Sequence, residues 1–266
     1  MEDSLRSRLP EELIYHVLSK EWKSLWRSVP SLDFNDADYG TRCKAAYGRF
    51  VQSVNAFIHS RDVHQSIQKF RLRFISHDDP TSINKWVNVA VQRRVQNLDL
   101  SIMPHWLLTQ PTNLYTIFTC TTLVVLKLQG LTLKELKPFS SVDLPLLKVL
   151  HLQVITLSER GCLAQFLSGC PVLEDFKAMD FIYNLHDDEG TEPYVFPKFH
   201  NLTHIELVYR CCANDWLQVV ELLKQCPKLR VLVINQVHVS AIHSNGHFSE
   251  HEPDILKKDN TNFMGS

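Results

Sequence analysis

The residues best suited to chemistry lie near the C-terminus. His243, His247 and His251 are spaced at i, i+4 and i+8, which would place three imidazoles on one helix face, as metal ligands often are. However, Asn245-Gly246 would interrupt that helix and Pro253 would end it early. A solvated tail is the better interpretation, and we expect no metal and no cofactor.

A second candidate is the acidic run Asp187-Asp188-Glu189 with Glu192 nearby, which could bind a hard cation through carboxylate oxygens. An acidic run beside Gly190 is more often a solvated loop. The chain also contains no GxSxG, GxGxxG or GxxxxGK[ST] motif. We therefore expect a protein that is not an enzyme.

Three of the seven cysteines recur in one pattern. Cys120, Cys170 and Cys226 are each followed by Leu at +3 and by apolar residues at +6 and +8. They could be nucleophiles or metal ligands, but Leu144 and Phe199 occupy the same place in related segments. The pattern therefore favours small apolar packing residues, a role that free cysteine performs well.

The pattern around these cysteines belongs to an internal repeat. Its central apolar positions are 24 to 29 residues apart, at Leu98, Leu126, Leu150, Phe176, Ile205 and Leu232. Leu72, 26 residues upstream of Leu98, suggests an earlier member. A period in the twenties with Leu-x-x-Leu-x-Leu is typical of leucine-rich repeats, in which each unit has one strand and one helix.

The stretches between the predicted strands have helical periodicity. Leu163, Phe166 and Leu167 form an i, i+3, i+4 set, and a second apolar set precedes the last strand at Trp216, Val219, Val220 and Leu223. One unit cannot bury its apolar face alone. We therefore predict an α/β leucine-rich-repeat solenoid, a right-handed β-α superhelix.

In such a solenoid the variable residues beside each central leucine point away from the core. These residues are mixed in charge, which suits a protein or peptide partner better than a polyanion. The candidate substrate-binding residues are Lys127, His151, Lys177, His204 and Glu206. The alternative is that they are ordinary solvated strand residues.

The first 36 residues form a different kind of segment. Pro10 would begin a helix whose apolar stripe is Leu13, Ile14, Val17 and Leu18, and aromatic and aliphatic residues continue the spacing at Trp22, Leu25 and Trp26. This surface could cap the first repeat, or it could dock in the groove of another protein.

LPEELIYHVLS followed by KEWKSLWRSVPSLDF resembles the F-box of plant F-box/leucine-rich-repeat proteins. SGCPVLEDF resembles their repeats, and FPKFHNLTHIELV resembles the start of their FBD segment, which here is truncated. The resemblance implies a non-catalytic subunit of an SCF-type E3 ubiquitin ligase that recruits a protein substrate through its repeats. It also implies that a Skp-family adaptor binds at Leu9, Pro10, Leu13, Ile14, Val17, Leu18, Trp22, Leu25 and Trp26.

The F-box departs from the family pattern in its middle. Roughly fifteen residues, about four helical turns, separate the equivalents of HVLS and KEW in the family, whereas Ser19-Lys20-Glu21 joins them directly here. We expect adaptor binding to be weakened or lost, since a small domain loses part of its core. The alternative function is a repeat module that binds its target without joining the ligase.

The predicted organisation has four parts. Residues 1–36 are an abbreviated F-box, 37–66 a helical linker, 67–240 the repeats with an FBD-like region from about 196, and 241–266 a disordered tail. With 28 basic and 29 acidic residues the chain is nearly neutral, so we expect neither a nucleic-acid partner nor a membrane partner. The absence of an apolar signal segment favours a cytoplasmic or nuclear location, or both.

Overall fold

The computed structural model describes residues 29–39, 44–61, 65–74, 79–102, 114–133, 142–157, 162–183, 195–209 and 216–236. The nine predicted adaptor-binding residues, the histidines of the tail and the acidic run 187–189 lie outside these ranges.

The described strands form one parallel sheet. Its nine strands are β1 (Ser31–Asn35), β2 (Lys69–Phe74), β3 (Asn97–Ile102), β4 (Val125–Gln129), β5 (Thr132–Leu133), β6 (Val149–Leu157), β7 (Asp175–Tyr183), β8 (His204–Tyr209) and β9 (Val231–Gln236). Neighbours in the sheet follow chain order, β1-β2-β3-β4-β6-β7-β8-β9, and the short β5 pairs with β6. Stacked strand–helix units require this order, because each unit touches only the next.

Four α-helices connect strands in the described ranges: α1 (Lys44–Ser60), α2 (Pro80–Gln92), α3 (Cys162–Ser168) and α4 (Trp216–Lys224). The segments Asp36–Tyr39 and Tyr115–Thr119 are 3-10 helices. At the start of α2, a side-chain oxygen of Asp79 accepts a hydrogen bond from the backbone N–H of Ser82 at 3.0 Å, and Pro80 occupies the first turn. Both features stabilise a helix N-terminus. None of the helices among the described residues is long and apolar enough to cross a membrane.

The core lies between one face of the sheet and the helices. Alternate strand residues such as Leu98 and Leu100 are fully buried, and Phe50 of α1 packs edge-on against Trp86 of α2 with ring centroids 5.8 Å apart. The residues between them, such as Asp99, stay partly accessible. Among the described residues, the helices therefore form one layer on one face of the sheet, and we call the other side the open face.

The helical pattern is confirmed in α3 and corrected in α4. Leu163, Phe166 and Leu167 are all buried, as predicted. In α4, however, Val220 is 45% exposed, and Leu222 is buried instead at 3% exposure. Runs of adjacent apolar residues leave the phase of a short helix ambiguous, since several stripes fit the same sequence.

The strand register confirms the repeat. Successive Cα partners are the predicted central residues, Leu98, Leu126, Leu150, Phe176, Ile205 and Leu232. The prediction of Leu72 as an earlier central residue of the repeat is wrong by two positions. Leu98 pairs with Phe70, while Leu72 pairs with Leu100. A shift of two residues keeps every side chain on the same face, so the alternating pattern alone does not distinguish the two registers.

The sheet also begins before the predicted start of the repeats at residue 67. β1 pairs in parallel with β2, and Leu32 is buried in the common core. Arg61, just after α1, donates a hydrogen bond from Nη2 to the backbone oxygen of Val29 at 2.5 Å, and its guanidinium lies 5.9 Å from the Phe57 ring centre. The helix in the predicted linker is thus attached to the first strand.

A backbone motif recurs at the start of the strands. The carbonyl before one strand accepts hydrogen bonds from two consecutive N–H groups of the next unit, at 2.8 to 3.2 Å. The accepting residues are Pro30, Gln68, Gln96, Val124, Lys148, Glu174 and Thr203. This shared geometry aligns the strand starts, and with them the side chains of the open face.

The three recurring cysteines are buried packing residues, as predicted. Cys120, Cys170 and Cys226 are free thiols with 0 to 7% exposure. Burial raises the pKa of Cys170 to about 12 and that of Cys226 to about 11, which keeps both thiols protonated. Thiols held in the protonated form are poor nucleophiles and poor metal ligands.

Candidate functional site

The open face is organised in rows that run across the strands. The middle row contains the Cα-paired residues Asp33, Arg71, Asp99, Lys127, His151, Lys177, Glu206 and Val233. The adjacent lower row contains Ser31, Lys69, Asn97, Val125, Val149, Asp175, His204 and Val231. Neighbouring strands are about 4.8 Å apart, so side chains of one row can interact directly.

Acidic side chains at the β1 end of the middle row are paired. Arg71 donates from Nε to Oδ2 of Asp99 at 2.8 Å, and its Nη1 lies 3.5 Å from Oδ2 of Asp33. The hydrogen bond to Asp99 is the main cause of a raised pKa for Arg71. One arginine therefore neutralises carboxylates on both neighbouring strands.

A further ion pair and a contact between an imidazole and a carboxylate lie toward the other end. Lys177 Nζ is 2.8 Å from Oε1 of Glu206, and His151 Nε2 is 3.5 Å from Oδ1 of Asp175 in the lower row. Each carboxylate named here has a cationic or imidazole partner on an adjacent strand. The charges on this half of the face are thus largely matched.

His151 lies between two lysines. Burial lowers the pKa of His151, and the positive charges of Lys127 and Lys177 lower it further, while Asp175 acts in the opposite direction. The imidazole is therefore neutral at pH 7. Lys127 thus has a neutral neighbour on its β6 side.

Lys127 differs from the other cations of the middle row. Within the ranges that the structure describes, it forms neither an ion pair nor a side-chain hydrogen bond, although Asp99 and His151 flank it in the row. Its side chain lines a groove of about 280 Å³, together with Gln129, Gln153 and other residues of β3, β4, β6 and β7. Ser101 Oγ donates to Gln129 Oε1 at 2.7 Å, so the amide nitrogen of Gln129 remains available as a donor.

The structure places all five predicted substrate-binding residues on the open face. Lys127, His151, Lys177 and Glu206 are consecutive members of the middle row, and His204 is adjacent in the lower row. Their binding role remains a prediction. Asp33 and Arg71 were missed, although the alternation in SLDFN and KFRLRF would have indicated strands at those positions.

The residues that the structure describes give no support for a metal site. No group of three or more His, Cys, Asp or Glu side chains there could hold a metal ion. The face instead becomes apolar toward β9, where Val231 is 44% exposed. A surface with paired charges and an apolar end resembles a protein-binding surface.

Comparisons with known proteins agree with this architecture. Residues 83–186 match the family model described as FBD-associated F-box protein At5g56370, LRR repeats. The F-box/FBD/LRR-repeat protein At5g22660 of Arabidopsis thaliana is 32% identical over 227 residues, which is 81% of this chain and 46% of that protein. The F-box/FBD/LRR-repeat protein At1g78750 of the same plant is 29% identical over 250 residues, 90% of this chain and 51% of that protein.

The chain is thus similar to the plant F-box/FBD/leucine-rich-repeat proteins. The FBD-associated F-box protein At1g66310 of Arabidopsis thaliana is a further relative, 34% identical over 189 residues, which is 62% of this chain and 39% of that protein. The chain spans about two fifths to one half of the length of the curated relatives named here. No solved structure matches it.

Proposed function

We propose that the chain is a non-catalytic recruiting subunit of an SCF-type E3 ubiquitin ligase. The stacked units form an open solenoid that binds a protein substrate, while the F-box segment binds a Skp-family adaptor. Function then depends on tethering, because holding a substrate beside the transfer machinery raises its effective concentration. Such a subunit acts in the cytoplasm, the nucleus or both.

The observation that supports substrate binding is the aligned middle row of the open face. Parallel register brings side chains from β1 to β9 into one continuous surface, with ion pairs at 2.8 Å and an accessible groove at its centre. Surfaces built from repeats are extended and suit long protein segments. Lys127, His151, Lys177, His204 and Glu206 are the residues that we expect to contact the substrate.

Support for adaptor binding comes from the sequence of the F-box segment and from the family. The helix predicted after Pro10 presents Leu13, Ile14, Val17 and Leu18 along one stripe, followed by Trp22, Leu25 and Trp26. An amphipathic helix of this kind docks by burying its apolar face in a partner's groove. Leu9 and Pro10 would position its first turn.

A pull-down with a purified Skp adaptor tests this proposal. Because the F-box lacks its middle helix, we expect the full chain to capture the adaptor only weakly, and we expect Leu13→Asp to abolish the remaining capture because it places a charge in an apolar interface. Leu146→Asp is the matched control, since Leu146 is 53% exposed within the repeats, and this variant should still capture the adaptor. If Leu13→Asp instead lowers the helical circular dichroism of the whole chain, the segment caps the repeats and the adaptor assignment is wrong.

A second candidate function follows from the direct joining of HVLS to KEW by Ser19-Lys20-Glu21. Without the intervening helix, the chain would bind its target as a repeat module and would not reach the ligase. Inserting the missing stretch after Ser19 tests this alternative. Capture only after the insertion would favour the repeat module, whereas equal capture before and after it would favour the ligase subunit.

A further inference from the structure

The middle row contains three carboxylates and three cations, but the carboxylates pair with only two of the cations. Asp33 and Asp99 share Arg71, and Glu206 is paired with Lys177. Lys127 alone among these cations has no acidic partner within the described ranges. A bound carboxylate would give Lys127 the direct partner that it lacks.

The groove around Lys127 contains further hydrogen-bond donors. Among the described residues, it contains no carboxylate that lacks a cationic partner. The free amide nitrogen of Gln129 and the side chain of Gln153 line the same space as Lys127. Asp99 also borders the groove, but its carboxylate accepts from Arg71 at 2.8 Å. An ammonium beside amide donors matches the geometry and charge of a side-chain carboxylate.

The apolar end of the open face lies at a definite distance from this donor set. From Lys127 on β4 to Val233 on β9 there are four strand spacings through β6, β7 and β8. Four spacings amount to about 19 Å. An extended peptide covers that distance in about six residues.

We propose that the open face binds an extended protein segment in which an Asp or Glu carboxylate contacts Lys127 and an aliphatic side chain, about six residues away, contacts Val231 and Val233. The assignment rests on the proposed function, because it names the class of substrate that the face would hold. Charge complementarity at Lys127 and the apolar end at β9 determine the order of the two contacts. His151 and the ion pair of Lys177 with Glu206 lie under the middle of the segment.

A selection from a displayed library of random twelve-residue peptides on the full chain tests the proposal. We expect enriched peptides to carry Asp or Glu about six positions from an aliphatic residue. Lys127→Met should weaken a selected peptide by about tenfold, the usual value of a hydrogen bond to a charged group. Lys127→Glu should reverse the preference, so that peptides with Lys in place of Glu bind better.

Two further variants distinguish a failure of the acidic-segment proposal from a failure of the proposed binding face. Lys148→Met removes the same charge outside the open face, where Lys148 Nζ lies 2.9 Å from Glu174 Oε1, and should leave peptide affinity unchanged. Val149→Arg places a large side chain in the lower row and should block any peptide on the face.

In one outcome, Val149→Arg blocks selected peptides that show no acidic preference or no response to Lys127→Glu. That outcome would overturn the acidic-segment proposal and leave the proposed binding face intact. Peptides enriched only for long acidic runs would overturn it in favour of a polyanion site. If no selected peptide responds to Val149→Arg, both the proposal and the substrate-binding face are wrong.

Discussion

His151 is a titratable side chain that has a lysine on each side in the middle row. It packs against Lys127 of β4 and against Asp175 and Lys177 of β7, and burial is the largest cause of its lowered pKa. Because the folded chain resists protonation at this position, the imidazole makes stability depend on pH. The unfolded chain does not share this resistance, since an exposed histidine has a pKa of about 6.5.

The sign of that dependence is definite. Above about pH 6.5 the imidazole is neutral in both states, so its contribution to stability is fully present. As the pH falls, the unfolded chain binds the proton first, and the free energy of unfolding decreases until the pH passes the folded pKa. We expect His151→Gln to reduce the loss of unfolding free energy between pH 7 and pH 5, measured by urea denaturation at both pH values.

Lys127→Met provides an independent check on the cause of the lowered pKa of His151. Removing this neighbouring charge should raise the pKa of His151 toward its ordinary value, so the loss of stability between pH 7 and pH 5 should also become smaller. If His151→Gln shows the same pH dependence as the unchanged chain, the imidazole does not titrate as its surroundings indicate.

At the scale of single elements, β4 and β6 share a bend. Gly130 follows β4 with a positive φ of 74°, and its N–H donates to the carbonyl of Gln153 at 2.9 Å. The corresponding position in β6 is Val154, whose φ is 52°. A β-branched residue in this left-handed region is strained, by roughly 1–2 kcal/mol.

The strain at Val154 predicts that substitution by glycine lowers stability less there than at an unstrained valine. Val154→Gly should lower the free energy of unfolding by about 1–2 kcal/mol less than Val125→Gly, because only the first substitution relieves a left-handed residue. Val125 is the matched control, since it is a half-buried strand valine on the neighbouring β4 and is absent from the residues with positive φ. Equal losses in urea denaturation would show that Val154 is not strained in solution.

These elements also show what the sequence can and cannot predict. The alternation of leucines identified β3, β4 and β6 to β9 with their register, because one shifted residue would expose every leucine. It did not distinguish Phe70 from Leu72 as the partner of Leu98, since both registers keep the same face buried. β1 was assigned to the F-box because most of its residues belong to KEWKSLWRSVPSLDF, which resembles the end of that segment.

The candidate site, too, could be predicted from the sequence only in part. That Lys127, His151 and Lys177 would lie side by side was predictable, because they occupy one position of the repeat. Which of the lysines would remain unpaired was not predictable, because pairing depends on the rotamers of Asp99, Asp175 and Glu206. The pKa of His151 likewise depends on burial, which the repeat pattern alone does not specify.

At the scale of the whole molecule, the stack is not equally packed along its length. The central residues of β3, β4, β6, β7 and β8 are fully buried, whereas their counterpart in β9, Leu232, is 39% exposed. β9 is the last strand of the described sheet, and only β8 pairs with it. In repeat proteins stability is carried by contacts between neighbouring units, so the terminal unit is the weakest.

A pair of truncations measures this gradient. Leu150→Ala removes a side chain that is fully buried between β4 and β7, and we expect it to lower the free energy of unfolding by about 2–5 kcal/mol. Leu232→Ala should cost less than half as much, because part of that side chain is already in water and little cavity is left behind. Urea denaturation of both variants at one chain concentration compares them directly, and equal costs would show that a further surface covers β9 in solution.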